Sequence, residues 1–179
     1  MRAARILHSG GVIAYPTEAV YGLGCLPQDE AAIDRILRLK RRSPSKGFIV
    51  IAASMKQVRE CAALPEGEIG ALVRDSWPGP VTWILHARDH VSASITGGRS
   101  TIAIRMTAHP VARALCITTG CAIVSTSANL SGHEPIRHKA RLRRQIGRAV
   151  DMIVPGDLGD RTKPTAIRDG STGAVIRAD

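Results

Sequence analysis

Phe48-Ile49-Val50-Ile51-Ala52 is an unbroken run of five apolar residues, the pattern of a strand covered on both faces. It constrains the fold more than any other segment, because a sheet buried on both sides needs helices above and below it. Related runs recur at Val12–Tyr15 (stopped by Pro16), Val81–Leu85, Thr101–Arg105 and Cys121–Val124. Between them, Ala31, Ile33, Ile36, Leu37 and Leu39 fall near helical period, which predicts a helix over Glu30–Lys40 with Asp29 as its N-cap. Helices are also expected near Met55–Ala62, over Glu66–Ser76, from His109-Pro110 to about Thr118, and over the basic stretch Lys139–Gly147. Trp77-Pro78-Gly79-Pro80 ends the second of these, since neither proline can continue it. Met152–Val154, Thr165–Arg168 and Ala174–Arg177 read as short closing strands. Helices and strands interleave without strict βαβ regularity. The expectation is one α/β domain over residues 1–179, with a twisted mixed sheet flanked by helices.

Aromatic residues make up only 3% of the chain, so Ile, Val, Leu and Ala must fill the core. Lys and Arg number 25 against 15 Asp and Glu, a net charge of +10. Such a surplus attracts polyanions such as nucleotides, RNA or anionic lipid, although an arginine-rich proteome would give the same figure. Cys25, Cys61, Cys116 and Cys121 show neither C-x-x-C nor zinc-finger spacing, so reduced thiols in a cytoplasmic protein are expected. Met1–Gly11 lacks the apolar run of a signal peptide, and no segment approaches the ~18 apolar residues of a membrane span. His86 and His90 sit on a strand followed by a loop, and no metal-ligating residues are assigned. Neither a phosphate-binding P-loop nor a dinucleotide fingerprint is present, since Gly22-Leu23-Gly24 lacks the third glycine. Trp77, Trp83 and Phe48 read as core or rim, not as a base-stacking platform.

Three blocks combine the groups a ligand site needs. Ser125-Thr126-Ser127-Ala128-Asn129 places four hydrogen-bonding side chains at the end of an apolar strand, where α/β proteins bind ligands. A hydroxyl-rich turn capping the next element is the plain alternative. Tyr15–Gly24 offers Thr17, Glu18 and two glycines after a strand, either a ligand-facing loop or a turn with Thr17 as cap. Lys40-Arg41-Arg42 and Lys46 gather cations past a helix end, where the dipole favours them in any case. A shared anion would relieve their mutual repulsion, with Arg42 gripping it bidentately. Ser43-Pro44-Ser45 is expected to keep that segment non-helical. Arg105 follows another apolar strand, and Lys163-Pro164-Thr165-Ala166-Ile167-Arg168 repeats the theme of a hydroxyl and cations beside a strand.

Taken in order, Tyr15–Gly24, Lys40-Arg41-Arg42 with Lys46-Gly47, Ser76–Thr82, Ala103–Pro110 and Val124–Gly132 strongly resemble the YrdC/Sua5 family, most closely its short bacterial form. The resemblance spans about Val12 to Arg177. It implies an α/β twisted sheet enclosing a basic concave cavity. It also implies a cytoplasmic nucleotidyltransferase that makes threonylcarbamoyl-AMP and pyrophosphate from L-threonine, bicarbonate or CO2, and ATP with Mg2+. The product feeds N6-threonylcarbamoyl modification of adenosine 37 in tRNAs reading ANN codons, through a downstream threonylcarbamoyl transferase complex.

By the same resemblance, Lys40 and Arg42 are catalytic, and Lys46, Ser125, Ser127 and Asn129 bind nucleotide. Thr17, Arg105 and Thr165 bind threonine. Thr165 stands where many members have serine. Two rivals remain. One is a tRNA- or double-stranded-RNA-binding maturation factor without catalysis, using the basic helix around Arg141, Arg143, Arg144 and Arg148. The other is a carbamoyl-transfer enzyme like the hydrogenase-maturation proteins, which carry zinc and acylphosphatase modules not seen here.

Overall fold

A computed structural model describes residues 2–178. The chain runs α1 (Arg2–His8), β1 (Ile13–Pro16), β2 (Tyr21–Gly24), α2 (Glu30–Lys40), a 3-10 turn at Pro44–Lys46, β3 (Ile49–Ala52), α3 (Met55–Cys61) and β4 (Ala62–Ala63). It continues through α4 (Gly67–Asp75), β5 (Val81–Ala87), α5 (Ala93–Thr96), β6 (Thr101–Met106), α6 (Pro110–Thr119) and β7 (Ile123–Ser127). It closes with α7 (Lys139–Ile146), β8 (Met152–Ile153), β9 (Ala166–Asp169) and β10 (Val175–Arg177). The strands join in the order β10-β9-β5-β6-β3-β7-β2-β1-β8, with β4 paired to β5. β3 is parallel to β6 and antiparallel to β7, so the sheet is mixed as expected.

The unbroken apolar run is central, and both of its faces are covered. On one face Val50, Val124, Ile104 and Leu23 pack beneath α2, α3, α4 and α7, which supply Ile33, Ile36, Val58, Val73 and Leu142. On the other, Ile13, Tyr15, Ile51 and Ile123 meet α1 and α6 through Ala3, Leu7, Ala112 and Leu115. Helix boundaries follow local chemistry. Asp29 caps α2 by accepting from Ala32 N at 2.9 Å, and Pro110 opens α6 at a position that needs no N–H donor.

Besides the short β4 and α5, which were not expected, four features depart from the sequence reading. α1 carries no capping signal; Ala3, Ala4 and Leu7 bury one side of it against the sheet and α6. Tyr21–Gly24 is a strand, not a loop, because the Thr17–Val20 turn folds it back against β1 in antiparallel register. Ser125 and Ser127 lie within β7, whose pairing continues to β2 at Gly22↔Ser127. The segment expected to stay non-helical makes one 3-10 turn, with Pro44 at its first position.

Candidate active site

The face holding Tyr15 opens into a cavity of about 300 Å³ where α1 and α6 no longer cover it. Register decides what lines it. Ile49 pairs with Ser125, Gly22 with Ser127, and Ile51 with Arg105. Partners across a ladder share a face, so these strands turn hydroxyls and a guanidinium to the same side. Two glycines leave β2 bare there. Gly24 is required by close approach, since a Cβ would stand 2.8 Å from the Tyr15 ring and 2.7 Å from Val124 O. The Tyr15 ring therefore slides beneath the strand and is fully buried. Burial pushes its phenol above the ordinary value, against the pull of the Ser125 hydroxyl.

Thr17, Glu18, Arg42, Arg105, Ser125 and Ser127 meet at this cavity, with Thr165 and Arg177 closing it from the C-terminal strands. Arg105 is 6% exposed. Its guanidinium donates to Thr165 Oγ1 at 2.9 Å and to Glu18 Oε2 at 3.1 Å, while its Nε has no partner. Thr107 Oγ1 donates to Glu18 Oε1 at 2.7 Å. Burial alone would raise the Glu18 carboxyl; Arg105 and the Thr107 hydroxyl outweigh it and hold it below its ordinary value. Arg177 donates to Thr165 O at 2.7 Å. Its acidity is raised by burial and by nearby Arg105. Three arginines against one carboxylate leave the cavity electropositive, as the fold expectation required.

Arg42 reaches the cavity through an unusual backbone. α2 ends in Arg41, which takes the left-handed conformation at φ 49°, a state costing a non-glycine residue about 1–2 kcal/mol. That turn sends Lys40 inward and Arg42 toward the cavity. Arg42 donates to Gly47 O at 2.9 Å and lies 5.5 Å over the Phe48 ring, and its buried Nε has no partner. Buried polar groups are almost always satisfied, so two orphaned guanidinium nitrogens beside one cavity point to a ligand.

Lys40, Lys46 and Asn129 lie outside the cavity lining. Lys46 is exposed on the 3-10 turn. The Lys40 ammonium is buried behind β7, where it donates to Ser127 O, to Asn129 O at 2.7 Å and to Asn129 Oδ1 at 3.4 Å. Asn129 in turn donates to Leu130 O and His133 O. Lys40 thus clamps the turn that ends β7. Burial, helped by Arg42, lowers its pKa from 10.5 to about 8. The folded chain therefore holds fewer protons than the unfolded one between those values, and this group's contribution to stability rises with pH across that window. Loss of the third ammonium proton leaves one accepting oxygen without a donor. A descending limb in kcat/KM near pH 8 is expected, and a profile flat from pH 7 to 9.5 would remove Lys40 from that role.

Glu18 and Arg177 were not singled out as site residues from the sequence. The carboxylate was visible beside Thr17, but its partner lies 87 residues away. Arg177 sat on an exposed closing strand that nothing linked to the first. Among the described residues no three His, Cys, Asp or Glu side chains gather as a metal site, and no helix is long and apolar enough to cross a membrane.

Residues 5–178 match a family designated Sua5/YciO/YrdC and described as telomere recombination. The chain is 52% identical over 179 residues to the threonylcarbamoyl-AMP synthase of Alkalilimnicola ehrlichii, covering 98% of this chain and 93% of that one. It is 49% identical over 175 residues to the synthase of the same name from Halorhodospira halophila, covering 98% and 92%. Among solved structures, P. abyssi Sua5 in complex with L-threonine superposes with a TM-score of 0.91 at 31% identity over 98% of this chain. This chain spans 52% of that longer protein. A family match over nearly the whole length, together with relatives at about half identity, shows that the chain belongs to the Sua5/YciO/YrdC family.

Proposed function

We propose that the protein is an enzyme of nucleotidyl transfer that makes L-threonylcarbamoyl-AMP and pyrophosphate from L-threonine, bicarbonate or CO2, and ATP. The observation that carries this reading is one electropositive cavity in which Arg42, Arg105 and Arg177 stand opposite the hydroxyls of Thr17, Ser125, Ser127 and Thr165. The names of the relatives and the threonine bound to Sua5 support the same reading.

The chemistry requires the threonine ammonium to lose one proton before its nitrogen bonds to the carbon of CO2, and a second as the carbamate forms, both passing to solvent. A carbamate oxygen then attacks the α-phosphorus, and the bond to the β-phosphate breaks as pyrophosphate leaves. Both reactants are anions, so fixed positive charge lowers the cost of bringing them together. Arg105 is assigned to the threonine carboxylate, with Thr17 and Thr165 beside it. Arg42, with Lys46 at the rim, is assigned to the phosphates, and Ser125 and Ser127 to the nucleotide. Lys40 acts through Asn129, by holding the turn that follows β7. Mg2+ arriving with ATP would neutralise part of the triphosphate charge. Glu18, the carboxylate lining the cavity, is engaged by Arg105 and Thr107 and is not assigned to the metal.

The product would serve tRNA threonylcarbamoylation through a downstream transferase complex in the cytoplasm. The exposed Arg143 and Arg144 of α7 offer phosphate contacts to the tRNA.

Pyrophosphate release tests this reading, with ATP present and threonine and bicarbonate withheld one at a time. Release is expected only when all three are supplied. Release without threonine would overturn it. Arg42→Ala is expected to lower kcat/KM for ATP by at least about tenfold, or about 1.4 kcal/mol. A smaller loss in the same assay would remove Arg42 from the phosphates.

A further inference from the structure

On the opposite face of the sheet the chain encloses a second hollow, of about 350 Å³. Val50 of β3, Ile102 of β6 and Ala122 before β7 form its floor, with Val91 and Ile95 on its wall. Val50 and Ile102 alternate with Ile49 and Ala103, whose face carries the electropositive cavity, so the sheet separates the two hollows. The volume falls within the roughly 300–1,000 Å³ typical of small-molecule sites. Val50, Ile95, Ile102 and Ala122 are at most 2% exposed and back the hollow, while the half-buried Pro27, Cys61, Val91 and Cys121 supply its apolar surface.

The mouth differs from the rest of the molecule. Glu30, Glu60, Gln28 and His90 stand there, and no lysine or arginine lines the hollow, in a chain of net charge +10. The Glu60, Gln28 and His90 side chains have no hydrogen-bond partner among the described residues. Glu30 accepts only from Ser94 Oγ, at 2.7 Å. Cys61 and Cys121 also line the hollow. Burial and the Glu60 carboxylate push both thiols up, Cys61 to about 11, so they are neutral wall groups and not nucleophiles at neutral pH. Glu30 and Glu60 are both exposed, at the rim of the hollow. An anion entering here would meet two carboxylates and no lysine or arginine, whereas a cation with an apolar body is drawn to both.

We propose that this hollow binds a small molecule with an apolar body and a protonated amine, the body against Pro27, Val91 and Cys121 and the ammonium at Glu30 and Glu60. The site is independent of the synthase reaction assigned to the other face.

Titration of methyl-labelled full-length protein with 4-phenylbutylamine, 4-phenylbutanol and 4-phenylbutyrate, followed by NMR, tests it. The amine is expected to give saturable shifts at the Val91, Ile95 and Ile102 methyls. The carboxylate is expected to bind at least about tenfold more weakly, the energy of one screened charge contact. Exchanging both Glu30→Gln and Glu60→Gln, exposed positions that leave the core untouched, is expected to bring the amine to the affinity of the alcohol. Equal binding of amine and carboxylate would overturn the proposal. So would the absence of any saturable shift, shifts centred instead on Val20 and Ile49, or a double variant that binds the amine unchanged.

Discussion

Arg105→Ala is expected to lower kcat/KM for threonine by at least about 10²-fold, roughly 2.7 kcal/mol, and to destabilise the fold by about 3–5 kcal/mol. Both losses come from one geometry. Arg105 lines the cavity and at the same time neutralises Glu18, which is 9% exposed. Removing the guanidinium leaves a largely buried carboxylate with the Thr107 hydroxyl as its remaining side-chain donor. Breaking a buried pair from one side costs far more than the intact pair contributes, because the surviving charge keeps its desolvation penalty. The two effects separate in the double variant. Glu18→Gln added to Arg105→Ala removes the stranded charge, so most of the lost stability is expected to return in urea unfolding while pyrophosphate release stays low. The sign of the pH dependence follows. In wild type, Glu18 is held below its ordinary value, so the pair's stabilisation is present at neutral pH and is lost as pH falls through the folded value. In Arg105→Ala the deficit should shrink toward acid pH, since a protonated Glu18 carries no unpaired charge. A double variant that recovers activity would remove Arg105 from threonine binding. A single variant as stable as wild type would show that Glu18 finds another partner.

The strands were legible where apolar runs stood alone. Phe48–Ala52 announces itself because burial on both faces favours an unbroken apolar run, and Thr101–Arg105 because only its two ends are polar. Tyr21–Gly24 was not legible, because its two glycines carry a loop signature. What makes it a strand is the Thr17–Val20 turn and pairing on both sides, to β1 and β7. Ser125 and Ser127 looked like a loop because their hydroxyls end the apolar run. Hydroxyls on a central strand make sense only once the bare glycines opposite them open a cavity. Thr17, Arg42, Arg105, Ser125, Ser127 and Thr165 of the cavity lining stood out by local chemistry, whereas Glu18 and Arg177 did not, and no directions could be read. Lys40 and Arg42 are two residues apart and both basic. One points into the protein and the other toward the cavity, because the intervening Arg41 adopts φ 49°. No periodicity encodes a single left-handed arginine. The Glu18–Arg105 pair likewise closes over a separation that spacing cannot reveal.

Lys40→Met is expected to lower kcat/KM for ATP by about 10²-fold with a stability loss of only about 1–3 kcal/mol. The modest stability loss follows from what remains. Ser131 N still donates to Lys40 O at 2.8 Å, and Ser127 O still accepts from Asn129 N at 2.9 Å. Deleting a buried ammonium also relieves its own desolvation. What disappears is the donor to Ser127 O, Asn129 O and Asn129 Oδ1, so the turn after β7 keeps only its backbone tie to α2 through Ser131. A residue that acts by placing another behaves non-additively with it. Asn129→Ala in the Lys40→Met background should therefore cost little beyond Lys40→Met alone, and the salt dependence of the KM for ATP should match wild type. A lysine that touched phosphate directly would give the opposite result. Its loss would add to that of Asn129, and the KM for ATP would become less sensitive to salt. Additive losses in that double-mutant cycle would move Lys40 from a clamp behind the wall to a ligand of the triphosphate.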